Sequence, residues 1–231
     1  MSEPVRVALV GATGLIGRSI IEESIGRRDD VQIVAIARRE MKLPQGAKME
    51  MVIAEPANWG EVLGVVMPNV LISALGTTWK RAGKSESAFR AVDYDLVLDT
   101  ARAAVKLGIE HMVSVSSAGA NPASKNLYLR VKGEAERDLS KVGFKRLDLL
   151  QPGLLRGSRE RDIRFGEGFA RAASPLIDPL MRGKWRAYRS IKAETVADGA
   201  LKLASRKAAG RFTHDNESIW RAARDWAKRA A

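Results

Sequence analysis

An apolar run, Val7-Ala-Leu-Val10, breaks directly into Gly11-Ala-Thr-Gly14-Leu-Ile-Gly17, and residues 19–25 continue as an apolar, helix-like segment. Three glycines at G-x-x-G-x-x-G between a strand and a helix constrain the fold more than any other stretch. Backbone without Cβ can turn tightly and approach a pyrophosphate closely, and the helix that follows aims its free N–H groups and positive dipole end at the phosphates. The glycines alone would be a weak signal; their place between strand and helix gives the pattern its meaning.

The rest of the chain alternates in the same way. Strand-like runs occur at residues 31–36, 49–54, 70–75, 111–115 and 147–150. Helical patterns occur at residues 59–67, 87–107 and 128–142. Such βα alternation predicts an α/β fold with a doubly wound parallel sheet and right-handed crossovers. Ligands in such sheets bind outside the carboxyl ends of the strands. The glycine turn, Arg38 and Arg39, residues 73–78, Ser116 and Ser117, and Pro152 and Gly153 all fall at those ends. After Gly157 the pattern loosens, with one helix-like piece at 165–173 and further helices at 194–204 and 218–230. Residues 154–190 are therefore expected to form a small C-terminal lobe covering the substrate, within a single domain spanning residues 1–231.

Composition narrows the classes. With 231 residues the chain can bury a sizeable core. It has no Cys, so disulfides, thiolate nucleophiles and cysteine metal sites are excluded. The two histidines, His111 and His214, bring no evident third ligand, and no metal site is expected. No early segment reads as a signal peptide, and no apolar run reaches the roughly 18 residues of a spanning helix, so the expectation is a cytoplasmic protein. Residues 151–231 hold 18 Lys and Arg against 9 Asp and Glu, so +9 of the +12 net charge sits in the last third. That excess is either a solvated basic surface or an attraction to an anionic substrate, cofactor phosphate or acidic partner. No helix-turn-helix, zinc or RNA-recognition signature accompanies it, which argues against nucleic acid.

The chemistry-bearing pair is Tyr128-Leu-Arg-Val-Lys132. Tyr and Lys four apart share a helical face, and a nearby ammonium stabilises phenolate and lowers a tyrosine pKa from about 10. Such a phenol can exchange a proton with a carbonyl or alcohol oxygen near neutral pH, helped by a serine hydroxyl from the preceding strand end.

With these motifs in place the chain resembles the short-chain dehydrogenase/reductase superfamily, in its atypical, extended-type NAD(P)-binding branch. Within that branch it is similar to the oxidoreductase group that includes the Tat-interacting protein. The resemblance rests on Gly11-Ala-Thr-Gly14-Leu-Ile-Gly17, residues 75–84, Ser116-Ser-Ala-Gly-Ala120, Tyr128-Leu-Arg-Val-Lys-Gly-Glu134 and residues 151–157. It implies a Rossmann fold and a Ser-Tyr-Lys site: Tyr128 as acid/base, Lys132 on the nicotinamide ribose, and Ser117 as the serine, with Ser116 the alternative. It further implies that Gly11, Thr13, Gly14, Leu15, Ile16 and Gly17 meet the cofactor, that Leu75, Gly76 and Thr77 run along it, and that Pro152 and Gly153 line the nicotinamide pocket. Asp93, where many relatives carry Asn, is read as structural.

The second strand ends in Arg38 and Arg39, with no acid before Glu40. NAD-selective proteins usually place a carboxylate there, whereas a guanidinium suits a 2′-phosphate. NADP(H) is the expected cofactor, with Arg38 the chief phosphate contact, Arg39 the second and NAD(H) the alternative. The expected function is reduction of a carbonyl or oxidation of an alcohol, of which an anionic one would suit the basic charge. The competing expectation is a cofactor-binding module that regulates contact with a protein partner.

Overall fold

The structure, a computed structural model, describes residues 3–27, 29–47, 49–156 and 183–228. Its centre is a seven-stranded sheet. The strands are β1 (Val5–Val10), β2 (Val31–Ala37), β3 (Glu50–Ile53), β4 (Val70–Ser73), β5 (His111–Val115), β6 (Arg146–Leu150) and β9 (Gly210–His214). Their spatial order is β3-β2-β1-β4-β5-β6-β9, and every pairing is parallel. Chain order reverses between β1 and β4, so the crevice where such sheets bind ligands opens at the end of β1, directly at the glycine turn.

Apolar runs form these strands because a parallel sheet is covered on both faces. Alternation along β1 divides the core. Val7 and Leu9 join one cluster with Ile33, Ala35, Val113 and Val115, beneath α1 (Leu15–Glu23), α6 (Ala193–Ala204) and α7 (Asn216–Ala227). Ala8 and Val10 join the other with Ile36, Leu71 and Met112, beneath α2 (Trp59–Val66) and α4 (Leu96–Lys106). A third, smaller cluster of Ala82, Phe89 and Val131 ties the loop after β4 to α3 (Glu86–Arg90) and α5 (Leu127–Leu139).

The helical pattern expected over residues 87–107 is interrupted. Between α3 and α4, residues Ala91–Asp95 form a π-helical turn that carries Asp93. The sequence pattern does not single out the edge strand β9: its five residues alternate between half-buried and exposed and offer too little apolar pattern to stand out. Of the lobe expected at 154–190, residues 157–182, and with them the helix-like piece at 165–173, lie outside the described residues. What is described is a small parallel pair, β7 (Leu155–Arg156) with β8 (Ile191–Lys192), preceded by a 3₁₀ turn at Gly183–Tyr188.

Candidate nucleotide and catalytic site

The glycine turn is built by close approach. Gly11 has φ +86°, and a Cβ on it would lie 2.5 Å from the carbonyl of Ala74 at the end of β4. A Cβ on Gly17 would overlap the Gly11 carbonyl oxygen and sit 2.8 Å from Ala12 Cα. These two glycines thus let the turn, the first turn of α1 and the end of β4 pack as one unit. Gly14 is the N-cap of α1, and its amide donates to Gly11 O at 3.0 Å. Gly14 makes no side-chain cap bond at the helix N-terminus, the kind of end that receives phosphate.

In front of the turn lies a cavity of about 780 Å³. The glycine turn from Gly11 to Gly14 forms its floor, Leu75, Gly76 and Thr77 one wall, and Arg38 and Arg39 the end of β2. Among the described residues its charged lining is arginine: Arg38, Arg39 and Arg81. The cavity fits the phosphate-bearing half of a dinucleotide, with glycine backbone where the chain must come close and cations where the anion would sit. Leu15, Ile16 and Gly17 are not among its lining residues; Leu15 is half-buried, Ile16 is 2% exposed and packs into the core, and Gly17 faces Gly11.

Tyr128 and Lys132 stand one turn apart on α5, whose N-cap Asn126 accepts from Leu129 N. The half-buried Tyr128 ring packs against Phe89, centroids 6.0 Å apart. Lys132 is buried and forms an ion pair with Asp93, Nζ to Oδ1 2.9 Å. The other Asp93 oxygen accepts from the amide of Thr77 at 2.7 Å. One buried carboxylate in the π turn therefore joins the lysine to the loop that lines the cavity. The sequence marks Asp93 only as an Asp where Asn is common; the pairing across 39 positions of chain appears only in three dimensions.

The two serines follow β5 and are both buried. Ser117 Oγ donates to the Ala118 carbonyl at 3.3 Å. Ser116 faces Glu136, one turn beyond Lys132. Burial raises the Glu136 carboxyl above its ordinary range, with Ser116, then Gln151, then Lys132 acting against it. Gln151 Nε2 donates to both Glu136 oxygens, at 3.0 and 2.9 Å. Gly133 presses the serine loop onto α5: a Cβ there would lie 2.5 Å from Asn121 N and closer still to its carbonyl carbon. Within a helical Y-x-x-x-K-G run this glycine looks unremarkable, so sequence reasoning passes over it.

Pro152 and Gly153 follow β6 beside the serine loop, with Ala118 N donating to Pro152 O at 2.9 Å. Gly153 N donates to the buried Asn216 side chain at 2.8 Å, and Asn216 Nδ2 donates to Arg189 O at 2.5 Å. The start of α7 thereby ties Gly153, after β6, to Arg189, after the 3₁₀ turn. Both histidines lie elsewhere, on β5 and β9, where each donates from Nε2 to the fully buried Asp148. Among the described residues no group of His, Cys, Asp and Glu could hold a metal ion, and no helix is long and apolar enough to cross a membrane.

A dinucleotide cradle at the switch point of a parallel sheet defines a nucleotide-binding Rossmann protein. Residues 11–178 match the family described as NAD(P)H-binding, and the chain belongs to that family. It is 31% identical over 223 residues to the mitochondrial protein fmp52 of Emericella nidulans, covering 93% of each chain. It is 36% identical over 162 residues to the mitochondrial protein FMP52 of Saccharomyces cerevisiae, covering 69% of this chain and 70% of that one. Similar folds include a putative NAD-dependent epimerase/dehydratase from Bacillus halodurans (TM-score 0.66, 20% identity, 96% of this chain and 99% of that one). MoeE5 in complex with UDP-glucose and NAD is another (TM-score 0.66, 16% identity, 90% and 75% covered). The expectation of a cytoplasmic protein is corrected by these findings: the relatives are named mitochondrial, which points to mitochondria instead.

Proposed function

We propose that the protein is an NADP(H)-dependent oxidoreductase of the atypical short-chain dehydrogenase/reductase type, akin to the Tat-interacting-protein group, acting on a carbonyl or alcohol. The observation that carries this reading is the cavity on the glycine turn whose charged lining, among the described residues, is Arg38, Arg39 and Arg81. Arg38 and Arg39 would hold the 2′-phosphate, and the turn from Gly11 to Gly14 the pyrophosphate, with Leu15 beside it at the start of α1. Leu75, Gly76 and Thr77 would run along the cofactor, and Pro152 and Gly153 would line the nicotinamide end. When bound, the nicotinamide supplies or accepts a hydride.

Tyr128 gives a proton to the substrate oxygen in reduction and takes it back in oxidation. The Lys132 ammonium lies one turn along the same face of α5. Asp93 holds that ammonium in place, so its position does not depend on the ligand. The Ser117 hydroxyl offers a second donor to the substrate oxygen, while Ser116 is turned toward Glu136. Anionic substrates would suit the basic surroundings.

The test is loss of the reduced nicotinamide absorbance with NADPH over a panel of aldehydes and ketones. Tyr128→Phe lowers turnover by about 10²–10⁴-fold, the usual contribution of a positioned acid, with NADPH affinity nearly unchanged. Full activity in that variant refutes the assignment. The buried Lys132–Asp93 pair favours one second reading, because it already neutralises the lysine. In it the site binds NADP(H) and regulates contact with a protein partner, with little turnover; tight NADPH binding without consumption on any carbonyl selects it.

A further inference from the structure

The loop after β4 carries a basic run, Trp79-Lys-Arg-Ala-Gly-Lys84. In the structure it is a closed knuckle. Arg81 N donates to Thr78 Oγ1 at 3.1 Å, Ala82 N to Thr78 O at 2.9 Å, Gly83 N to Lys80 O at 3.1 Å and Lys84 N to Trp79 O at 2.9 Å. Gly83 and Lys84 both take left-handed backbone, φ +63° and +57°. A lysine holds that conformation only where the surrounding structure determines it. Ser85 then caps α3.

The knuckle is also anchored. Ala82 is buried with Phe89 and Val131, and the Trp79 ring meets Phe89 edge-on with centroids 6.5 Å apart. Phe89 in turn packs on Tyr128. With Ala82 turned inward, its neighbour Arg81 is presented to the cavity of the glycine turn, where it is a lining residue. Lys80 and Lys84 are not among the lining residues.

Sheet order gives this arginine its meaning. β2 and β4 flank β1 on opposite sides. Arg38 and Arg39 therefore reach the cavity from one side of the glycine turn, and Arg81 from the other. A planar guanidinium on each side of one cavity is an arrangement for gripping an anion between them.

We infer that Arg81 is a further specificity-determining residue, a guanidinium that closes on a phosphate of the bound nucleotide from the β4 side, opposite Arg38 and Arg39. The inference rests on the NADP(H) reading above. A dinucleotide offers that arginine two phosphate sources, the 2′-phosphate and the diphosphate bridge. The closed knuckle sets the Arg81 backbone in place before the ligand arrives, so little loop freedom is lost on binding.

The experiment is calorimetric titration of adenosine 2′,5′-bisphosphate and of ADP into the full chain, as wild type, Arg81→Ala and Lys80→Ala. Arg81→Ala weakens at least one probe by about tenfold or more, while Lys80→Ala stays within about twofold for both, since only a contact arginine forms a charge-assisted pair. Loss confined to the bisphosphate assigns Arg81 to the 2′-phosphate; loss on ADP, alone or together with the bisphosphate, assigns it to the diphosphate. A wild type that prefers the bisphosphate, with an Arg81→Ala variant unchanged on both probes, refutes the inference and leaves the NADP(H) reading intact. Equal losses in the Lys80 and Arg81 variants also refute it, since a general field rather than a contact would then be at work. A wild type with no preference for the bisphosphate over ADP overturns the NADP(H) reading itself. Thermal melts of both variants within a few degrees of wild type exclude unfolding as the cause, because both side chains are on an exposed loop surface.

Discussion

Asp93→Asn is the substitution whose effect follows most directly from the geometry. The change keeps the side chain's size and leaves an oxygen to accept from Thr77 N. It removes only the negative charge facing Lys132, and both groups are buried, with side-chain exposures of 7% for Lys132 and 0% for Asp93. Removing one partner of a buried ion pair costs about 3–5 kcal/mol, because the remaining charge is left without compensation. The single amide oxygen serves only one of the two donors, so the NH2 group faces the other, and a loss of at least about 3 kcal/mol is expected. For a chain of this length that corresponds to a fall in Tm of about 6–12 °C. A second change, Lys132→Met, removes the stranded charge. The double variant should be more stable than Asp93→Asn alone, with a coupling energy of about 2 kcal/mol or more in a urea or thermal double-mutant cycle. A loss below about 1 kcal/mol for Asp93→Asn, with no coupling to Lys132, would mean the pair is solvated and does not hold the lysine.

Gly133→Ala forces a methyl group into the Asn121–Pro122 backbone, so the serine loop must move off α5; stability falls by about 1–3 kcal/mol, and any carbonyl reduction falls further than NADPH affinity does. Asp148 is buried, which alone would raise its carboxyl, but hydrogen bonds from His111, His214 and Arg146 outweigh this and hold it below the ordinary carboxylate range. Its stabilising contribution is therefore present above about pH 4 and is lost as pH falls below that, whereas Asp148→Ala, expected to cost about 3–5 kcal/mol at neutral pH, removes this part of the acid sensitivity; unfolding curves over pH 2–7 for both proteins check it.

The sequence exposes those parts of the site that depend on neighbours along the chain. The glycine turn, the arginines that end β2 and the Tyr128–Lys132 spacing are local patterns, and each lies on the element expected of it. Partners brought together by packing are not visible that way. Asp93 meets Lys132 because a π turn rotates it inward between α3 and α4, where sequence periodicity reads one continuous helix. Gly133 matters only because the loop after β5 lies against it, and Arg81 only because the β4 loop folds into a knuckle. The two histidines, which the sequence leaves scattered, converge on Asp148 because β5, β6 and β9 are adjacent in the sheet. That adjacency requires β9, a short edge strand whose residues carry little apolar signal.

The central claim is that the glycine turn and its arginines form a site for a nicotinamide dinucleotide bearing a 2′-phosphate. Titration of NADPH and NADH into the wild-type protein, under the same buffer and salt, tests it most directly. Binding of NADPH at least about tenfold tighter than NADH, about 1.4 kcal/mol, with most of that difference lost in Arg38→Ala, is the predicted result. Equal affinities, or a preference for NADH, would contradict it.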